Sequence, residues 1–214
     1  MNNKTRCIAH EIRNQISICE LYSKIIKKHL EKDGIENKSI DNALFCIDKS
    51  LKIIGNNLFD LKSIESNEPK IFDLQEILKT GIDMSVVYIQ EKDINISLYC
   101  PDSCDVFIDE NKFLACIVNI IKNAIESICE KGEIKISVKI DDFAFIKISN
   151  NGPIIPQDIQ VHLFEEGYTT KKTGSGLGLA ICKQNLKTQN AELKLIESTT
   201  KNTVFEIKLP IYKN

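Results

Sequence analysis

The chain has 214 residues, of which 43% are hydrophobic and 27% are charged. A chain of this length and composition can bury a sizeable core in one domain or two small ones, which excludes wholesale disorder. Its net charge of -2 gives no electrostatic reason to expect nucleic acid or an anionic membrane as a partner.

Membrane insertion and export are not expected either. The longest apolar run, Phe113–Ile121, is too short to span a bilayer, and the first residues lack the apolar region of a secretory signal. We therefore expect a cytoplasmic chain with no membrane segment, whose eight cysteines are reduced thiols. Most of these cysteines fall on apolar faces, which favours a packing role over a metal or redox role.

The first sixty or so residues predict a helical hairpin. Apolar residues recur at helical spacing from Ile8 to Leu30, and at about 100° per residue His10 lies roughly 200° from Ile8, so we expect it to face solvent. The segment Glu31–Ser39 predicts a turn, and apolar steps of four and three from Ile40 to Leu61 predict a second helix. Two such helices cannot bury both of their apolar faces against each other alone, so we expect a dimeric four-helix bundle. Packing against the rest of the same chain is the alternative.

The polar segment Ile64–Lys70 contains Pro69, which discourages helix continuation. We place a boundary there, between a domain of residues 1–66 and a domain of residues 67–214. The second domain alternates predicted helices and strands, which indicates a mixed sheet with helices on one face, a two-layer α/β sandwich in a chain of the α+β class. The predicted elements are a helix over Leu74–Gln90, strands INISLYC and CDVFID, a helix capped by Asp109, a hairpin around Asp141 and Asp142, a turn at Asn150–Pro156, and a closing hairpin of AELKLIE and TVFEIKLP.

Two asparagines interrupt the apolar helix that follows Asp109. Asn119 and Asn123 are four residues apart and so share a helix face. Buried amides are costly unless they are hydrogen-bonded, and a hydrated Mg²⁺ with its phosphates would supply partners, because Mg²⁺ favours oxygen ligands. A pair that caps neighbouring loops is the alternative.

The stretch Phe164–Ile181 carries glycines at Gly174, Gly176 and Gly178 directly before a predicted helix. Glycines allow a tight turn and a close approach to a ligand, and the free amides of a helix start favour an anion such as phosphate. The spacing fits neither the usual phosphate loop nor the dinucleotide fingerprint. It therefore indicates a different kind of phosphate loop, with a glycine-rich surface turn as the alternative.

Together these segments resemble the catalytic core of a two-component sensor histidine kinase, a phosphoacceptor hairpin followed by a Bergerat-type ATP-binding domain. AHEIRNQ at Ala9–Gln15 matches the phosphoacceptor box, and NIIKNA at Asn119–Ala124 matches the N box. ISNNGPIIP matches the first glycine box, LFEEGYTTKK the F box, GSGLGLAI the second glycine box and NTVFEIKLP the closing strand. Each match alone is weak or moderate, but their order along nearly the whole chain is specific.

The resemblance implies a role for individual residues. His10 would be phosphorylated by ATP and pass the phosphoryl group to an Asp of a response regulator receiver domain, with Glu11 as the assisting base. Asn14 matches the position that orients water for dephosphorylating the regulator. Asn123 would hold Mg²⁺ and Thr203 would support adenine recognition. The full set of implied nucleotide-binding positions is Asn119, Asn123, Asn150, Gly152, Lys171, Lys172, Gly174, Ser175, Gly176, Leu177, Gly178 and Thr203.

Two positions depart from the pattern of the family. Asn150 stands where the family has an adenine-reading Asp, and Ile154 stands where it has a second glycine. A neutral amide accepts a hydrogen bond more weakly than a carboxylate does, so we expect low nucleotide affinity. Only nine residues precede His10, so the input is a separate sensor protein, or the chain is a core without its sensor, or it relays phosphate.

Two other functions remain open. A histidine phosphotransfer protein with a degenerate nucleotide domain would explain Asn150 and Ile154 but not the phosphate loop. An ATPase or a protein serine kinase that shares the ATP-binding fold would leave His10 and its box unexplained. The autokinase hypothesis accounts for all of these features and implies a homodimer.

Overall fold

The computed structural model describes residues 3–34, 37–47, 51, 54, 68–100, 104–171 and 176–213. The chain divides into two compact units, one of residues 1–62 and 171–174 and one of residues 63–170 and 175–214. We describe each unit by itself. Among the described residues, no helix is both long and apolar enough to cross a membrane.

The first unit is helical. Helix α1 spans Asn3–Lys32, Gly34 follows with a positive φ of 65°, and a second helix, α2, occupies residues 38–47. Asn37 caps α2, since its side chain accepts the Ser39 N–H at 3.0 Å. The break between the two helices lies within the predicted turn Glu31–Ser39, but α1 extends to Lys32 and α2 begins at residue 38, before the predicted start at Ile40. The hairpin as a whole stays a prediction, and its apolar positions Leu58 and Leu61 lie outside the described residues.

The second unit is built on a five-stranded mixed sheet. The strand order is β2-β4-β5-β7-β6, in which β2 and β4 are parallel and all other neighbours are antiparallel. A small second sheet pairs β1 with β3. The strands are β1 (Lys70–Asp73), β2 (Asp93–Tyr99), β3 (Asp105–Ile108), β4 (Lys131–Ile140), β5 (Phe143–Asn150), β6 (Glu192–Ser198) and β7 (Thr203–Pro210).

Both predicted hairpins are confirmed, but two local predictions are wrong. Strand β1 begins at Lys70, inside the predicted linker, because it pairs with β3, a partner far along the chain. The helix predicted over Leu74–Gln90 ends at Ser85 and continues as a short 3-10 turn. The Ser85 hydroxyl bonds the Gly81 carbonyl at 2.7 Å, and two β-branched valines follow, which helices accommodate less well.

The described residues of the second unit include four α-helices. They are α3 (Leu74–Ser85), α4 (Glu110–Ser127), α5 (Gln157–Gln160) and α6 (Gly178–Lys187). Asp109 caps α4, as predicted, by accepting the Lys112 N–H at 3.2 Å. Lys92 donates to the carbonyls of Ile125, at 2.8 Å, and Ile128, which satisfies carbonyls at the other end of α4.

Burial alternates along the central strands. Ala144, Ile146 and Ile148 of β5 are buried, whereas Lys147 between them is exposed. One face of the sheet therefore packs in the core, where α4 contacts α3, α6, β4 and β5. This is the mixed sheet with helices that the element order predicts.

The buried cysteines behave as small apolar residues. Cys116 of α4 and Cys182 of α6 lie in the core, and each thiol donates to the other residue's carbonyl, at 3.6 and 3.8 Å. Burial, together with Cys182, raises the pKa of the Cys116 thiol well above its ordinary value. Burial and neighbouring acidic groups, first among them Cys100, raise the pKa of Cys104 to about 11. Both thiols are therefore protonated near neutral pH and are poor nucleophiles.

Truncating a core side chain of the sheet should destabilise the unit strongly. Ile146→Ala removes a fully buried side chain, so we expect the free energy of unfolding to fall by about 2–5 kcal/mol. Ile196→Ala changes a side chain that is 43% exposed on β6 and should cost less than about 1 kcal/mol. Urea unfolding followed by circular dichroism measures both, and equal losses would contradict this assignment of the core.

Candidate functional site

The candidate site begins on a polar ridge of α4 that Asn119 and Asn123 form. Asn119 and Asn123 are half-buried in a helix whose other central residues are mostly buried. The Asn123 Nδ2 donates to the Asn119 Oδ1 at 3.4 Å, which confirms that the two amides share a face. Ser127 lies one further turn along the same ridge.

The end of β5 meets this ridge at Ser127. Asn150, the last residue of β5, is only 5% exposed, and its Nδ2 donates to the Ser127 Oγ at 3.0 Å. The Ser127 hydroxyl in turn donates to the Ala124 carbonyl at 2.8 Å. Asn150 is therefore fixed to α4 through a serine side chain that is itself bonded to the helix.

A glycine is required immediately after this contact. A Cβ at Gly152 would lie 2.5 Å from the Ser127 Oγ and 2.7 Å from the Asn150 Nδ2, which is closer than real Cβ atoms approach. Ile154, two residues after Gly152, has a negative φ, and its side chain is 47% exposed. The backbone at this departure from the family pattern therefore accepts a side chain without strain.

A second hydroxyl network lies on the other side of Asn150. Thr203 of β7 pairs with Asn150 across the sheet and with Ser198 of β6 on its other side. The Ser198 and Thr203 hydroxyls are 3.2 Å apart, and the Ser198 Oγ accepts the Ile155 N–H at 2.8 Å. This chain of bonds connects the turn after β5 to the closing hairpin and holds the buried Thr203 beside Asn150.

The start of α6 approaches the ridge from above the sheet. Gly176 has a φ of 70°, and a Cβ there would overlap the backbone of Gly167, whose N–H donates to the Gly176 carbonyl at 3.1 Å. A Cβ at Gly178, the first residue of α6, would overlap the side-chain amide of Asn119. No side-chain hydrogen bond caps α6 at Leu177. The first residue of α6 therefore lies directly beside Asn119.

The segment that leads to the glycines packs partly on α6. The Lys183 ammonium lies 5.1 Å from the centroid of the half-buried Phe164 ring. Lys171 is exposed. The predicted site residues Lys172, Gly174 and Ser175 lie outside the described residues.

The predicted phosphoacceptor region lies in the first unit. His10, Glu11 and Asn14 belong to α1, but their side chains are outside the described part of the chain, so their roles stay predictions. Ser17, which helical periodicity places on the side of His10, is exposed.

Sequence reasoning missed two hydroxyl residues of the site. Ser127 continues the i, i+4 series of Asn119 and Asn123, so extending that spacing by one turn would have found it. Ser198 faces Thr203 across a hairpin whose register is irregular, with a shift between Leu195 and Glu197. No simple pattern in the sequence fixes that pairing.

Comparisons with known proteins agree with this geometry. Residues 108–213 match the family described as histidine kinase-, DNA gyrase B- and HSP90-like ATPase. The chain is 30% identical to Sporulation kinase C of Bacillus subtilis (strain 168) over 95% of its own length and 47% of that protein. It is 31% identical to Sensor histidine kinase FlgS of Helicobacter pylori (strain ATCC 700392 / 26695) over 94% of its length and 52% of that protein. The chain thus spans about half the length of the curated relatives it matches.

Among solved structures, the catalytic domain of histidine kinase ThkA superposes with a TM-score of 0.61 and 25% identity, covering 67% of this chain and 96% of that one. The chain is therefore homologous to the sensor histidine kinases, and its residues 108–213 are an ATPase domain of the family that these kinases share with DNA gyrase B and HSP90.

Proposed function

We propose that this chain is the ATP-dependent histidine autokinase core of a two-component system. His10 accepts the γ-phosphoryl group of ATP and passes it to an Asp of a response regulator receiver domain, and Asn14 serves the reverse, dephosphorylating reaction. The observation that carries the proposal is the start of α6, where Gly178 lies directly against the side-chain amide of Asn119. Since ATP is its phosphoryl donor, we place the core in the cytoplasm.

The phosphates bind at the start of α6. The first amides of a helix lack partners within the helix, and the helix dipole favours negative charge there. Gly178 allows this helix start to lie against Asn119, which contacts the phosphates from α4. By the resemblance to the family, Lys171, Lys172, Gly174, Ser175, Gly176 and Leu177 are the further phosphate-binding residues of the proposal.

The residues at this site fit a Mg²⁺ ion that arrives with the nucleotide. Mg²⁺ prefers oxygen ligands and keeps several waters, so it needs few protein groups when phosphates are present. Within the described residues, no group of three or more His, Cys, Asp or Glu side chains could hold a metal ion, so the protein forms no cage of its own there. Asn123 is the residue that would hold the ion, which would neutralise phosphate charge in the transfer step.

The adenine binds at the opposite end of the ridge. Asn150, held between Ser127 and the sheet, accepts a hydrogen bond from the amine of the base, and Thr203 supports it through its hydroxyl. Gly152 keeps the space around this pair open. Because the acceptor is a neutral amide, we expect the affinity for nucleotide to be modest.

The transfer step uses the neutral imidazole of His10. A ring nitrogen attacks the γ-phosphorus, an N–P bond forms as the bond to the bridging oxygen breaks, and ADP leaves with that electron pair. Glu11 takes the proton that the imidazole loses. An unperturbed histidine is largely neutral near pH 7, so the nucleophile is present without further activation.

A homodimer is the second part of the proposal. The first unit exposes several large apolar side chains within the single chain, including Tyr22 at 61%, Ile26 at 46% and Phe45 at 67%. Contiguous exposed apolar side chains on helices favour association. We propose that α1 and α2 form a hairpin that pairs with a second copy as a four-helix bundle, in a domain of residues 1–66 that precedes the ATP-binding domain of residues 67–214.

A phosphotransfer protein with a degenerate nucleotide domain is the second candidate. It is favoured by Asn150 and by Ile154, whose exposed side chain adds apolar surface after β5. Under this candidate His10 would exchange phosphate with receiver domains or with a separate sensor kinase without using ATP.

The autokinase proposal predicts an acid-labile, alkali-stable phosphoryl group on the purified chain after incubation with radiolabelled ATP and Mg²⁺. His10→Gln should abolish the label, because Gln lacks a nucleophilic ring nitrogen, whereas His29→Gln on the same helix should retain it. Acid-stable label, or label that survives in His10→Gln, would favour a serine kinase. Nucleotide binding without label would favour the phosphotransfer candidate.

Crowding the start of α6 should weaken nucleotide binding. In Gly178→Ala the added Cβ overlaps the Asn119 amide, which must shift away from the phosphates, so we expect the Kd for Mg-ADP to rise about tenfold or more. Gln184→Ala, at an exposed position of the same helix, should leave the Kd unchanged. Isothermal titration calorimetry measures both, and an unchanged Kd in Gly178→Ala would place the phosphates elsewhere.

Charging the apolar surface of α1 should dissociate the dimer. The parent chain should sediment at twice its mass of 24.3 kDa, and Tyr22→Lys combined with Ile26→Lys should sediment at 24.3 kDa because buried lysines would be unpaired. Val87→Lys changes an equally apolar residue, 70% exposed in the second unit, and should remain dimeric. A parent chain that sediments as a monomer at micromolar concentration would overturn the dimer.

A further inference from the structure

The side chain of Asn150 can present either of two opposite groups to a nucleotide base. Its carbonyl oxygen accepts a hydrogen bond, whereas its amino group donates one, and a half-turn of the amide exchanges them. The network around the amide decides which group points outward. An aspartate has no such ambiguity, because both of its oxygens accept.

Ser127 fixes this orientation. The Ser127 hydroxyl donates its only proton to the Ala124 carbonyl at 2.8 Å, so its oxygen remains available as an acceptor. It therefore pairs with the amino group of Asn150, at 3.0 Å, and not with the carbonyl oxygen. Reversing the amide would force Ser127 to turn its proton from Ala124 to Asn150, which leaves the network with one hydrogen bond fewer.

The outward group is then the Asn150 carbonyl oxygen. Within the described residues, no buried side-chain oxygen lacks a hydrogen-bond partner, and Asn150 bonds through its amino group. Although Asn150 as a whole is only 5% exposed, its Oδ1 consequently reaches the surface, where it can accept. Gly152 keeps this arrangement compact, because a Cβ there would collide with both members of the pair.

We propose that Ser127 is a positioning residue that sets base selectivity: by holding the Asn150 amide with its oxygen outward, it makes the site select adenine over hypoxanthine. Adenine carries an amine that donates to this oxygen, whereas hypoxanthine carries an oxygen at the same position, which would face the Asn150 oxygen without a proton between them. This inference rests on the proposed adenine site and adds the residue that determines its selectivity.

The test compares binding of Mg-ADP and Mg-IDP to the full chain by calorimetry. The parent chain should prefer ADP, and Ser127→Ala should lower that preference by about three- to tenfold, the equivalent of one hydrogen bond, mainly because the amide can now reverse and bind IDP. Ser127→Thr keeps the hydroxyl and should keep the preference. If Ser127→Ala does not fold, Ser127→Cys replaces it, since a thiol is a much weaker acceptor.

Two further variants separate positioning from a structural effect. Asn150→Asp should retain the preference for ADP with or without Ser127→Ala, because a carboxylate cannot reverse into a donor. Ser149→Ala removes a hydroxyl from the same strand, one that bonds the Lys135 carbonyl instead, and should change nothing.

The outcomes are distinct. Equal weakening of ADP and IDP in Ser127→Ala, or no preference in the parent chain, would overturn the role of Ser127 while leaving the nucleotide site intact. Binding of neither nucleotide by the folded parent chain would overturn the proposed function, and this inference with it.

Discussion

The burial of α4 constrains the rest of the ATPase unit. This helix contacts α3 and α6 on its sides and the strands β4 and β5 beneath it, and ten of its residues are buried. A helix packed in this way cannot rotate without moving apolar side chains out of the core. The ridge of Asn119, Asn123 and Ser127 therefore faces in one fixed direction, towards the start of α6 and the end of β5. Both of those segments have a glycine where they approach the ridge, because a Cβ there would overlap Asn119 or Ser127.

The end of the ridge to which we assign the adenine buries neutral groups in place of a charged one. A carboxylate that is nine-tenths buried loses much of its hydration, a cost that only a strong partner offsets. The pair of Asn150 and Ser127 carries no charge, and its hydrogen bonds satisfy the buried amino group and hydroxyl. The unit without nucleotide therefore avoids the cost of a buried charge, at the expense of a weaker hydrogen bond to the base.

Much of this arrangement could be predicted from the sequence, because it depends on local patterns. Helical spacing placed Asn119 and Asn123 on one face, and Asp109 marked the start of α4. The errors arose where distant segments decide the local structure. Strand β1 forms because β3 pairs with it, and no periodicity within Lys70–Asp73 predicts that pairing.

Helical spacing can place Ser127 on the ridge, but the partners of Ser127 and Ser198 could not be predicted from the sequence, for the same reason. Neither serine stands out within its own helix or strand, and the role of each depends on the residue that the fold brings next to it. For Ser127 of α4 that residue is Asn150 of β5, and for Ser198 of β6 it is Ile155 in the turn after β5. Motifs identify residues that touch a ligand more readily than residues that orient those residues. The phosphoacceptor box at Ala9–Gln15 is the reverse case. The sequence identifies it by its motif, and its assignment rests on pattern and homology alone.

The two units differ in how their stability is obtained. The large buried cluster of the described residues lies in the ATPase unit, whereas the buried cluster of the first unit consists of Ile16 and Leu51. In the proposed four-helix bundle, the exposed apolar residues of α1 would become buried on association, which would stabilise that helix. Under the proposed dimer, the helices that carry His10 would depend on the concentration of the chain, whereas the buried cluster of the ATPase unit would not. A kinase built in this way would couple its phosphoacceptor to dimer formation while its nucleotide site stays independent of it.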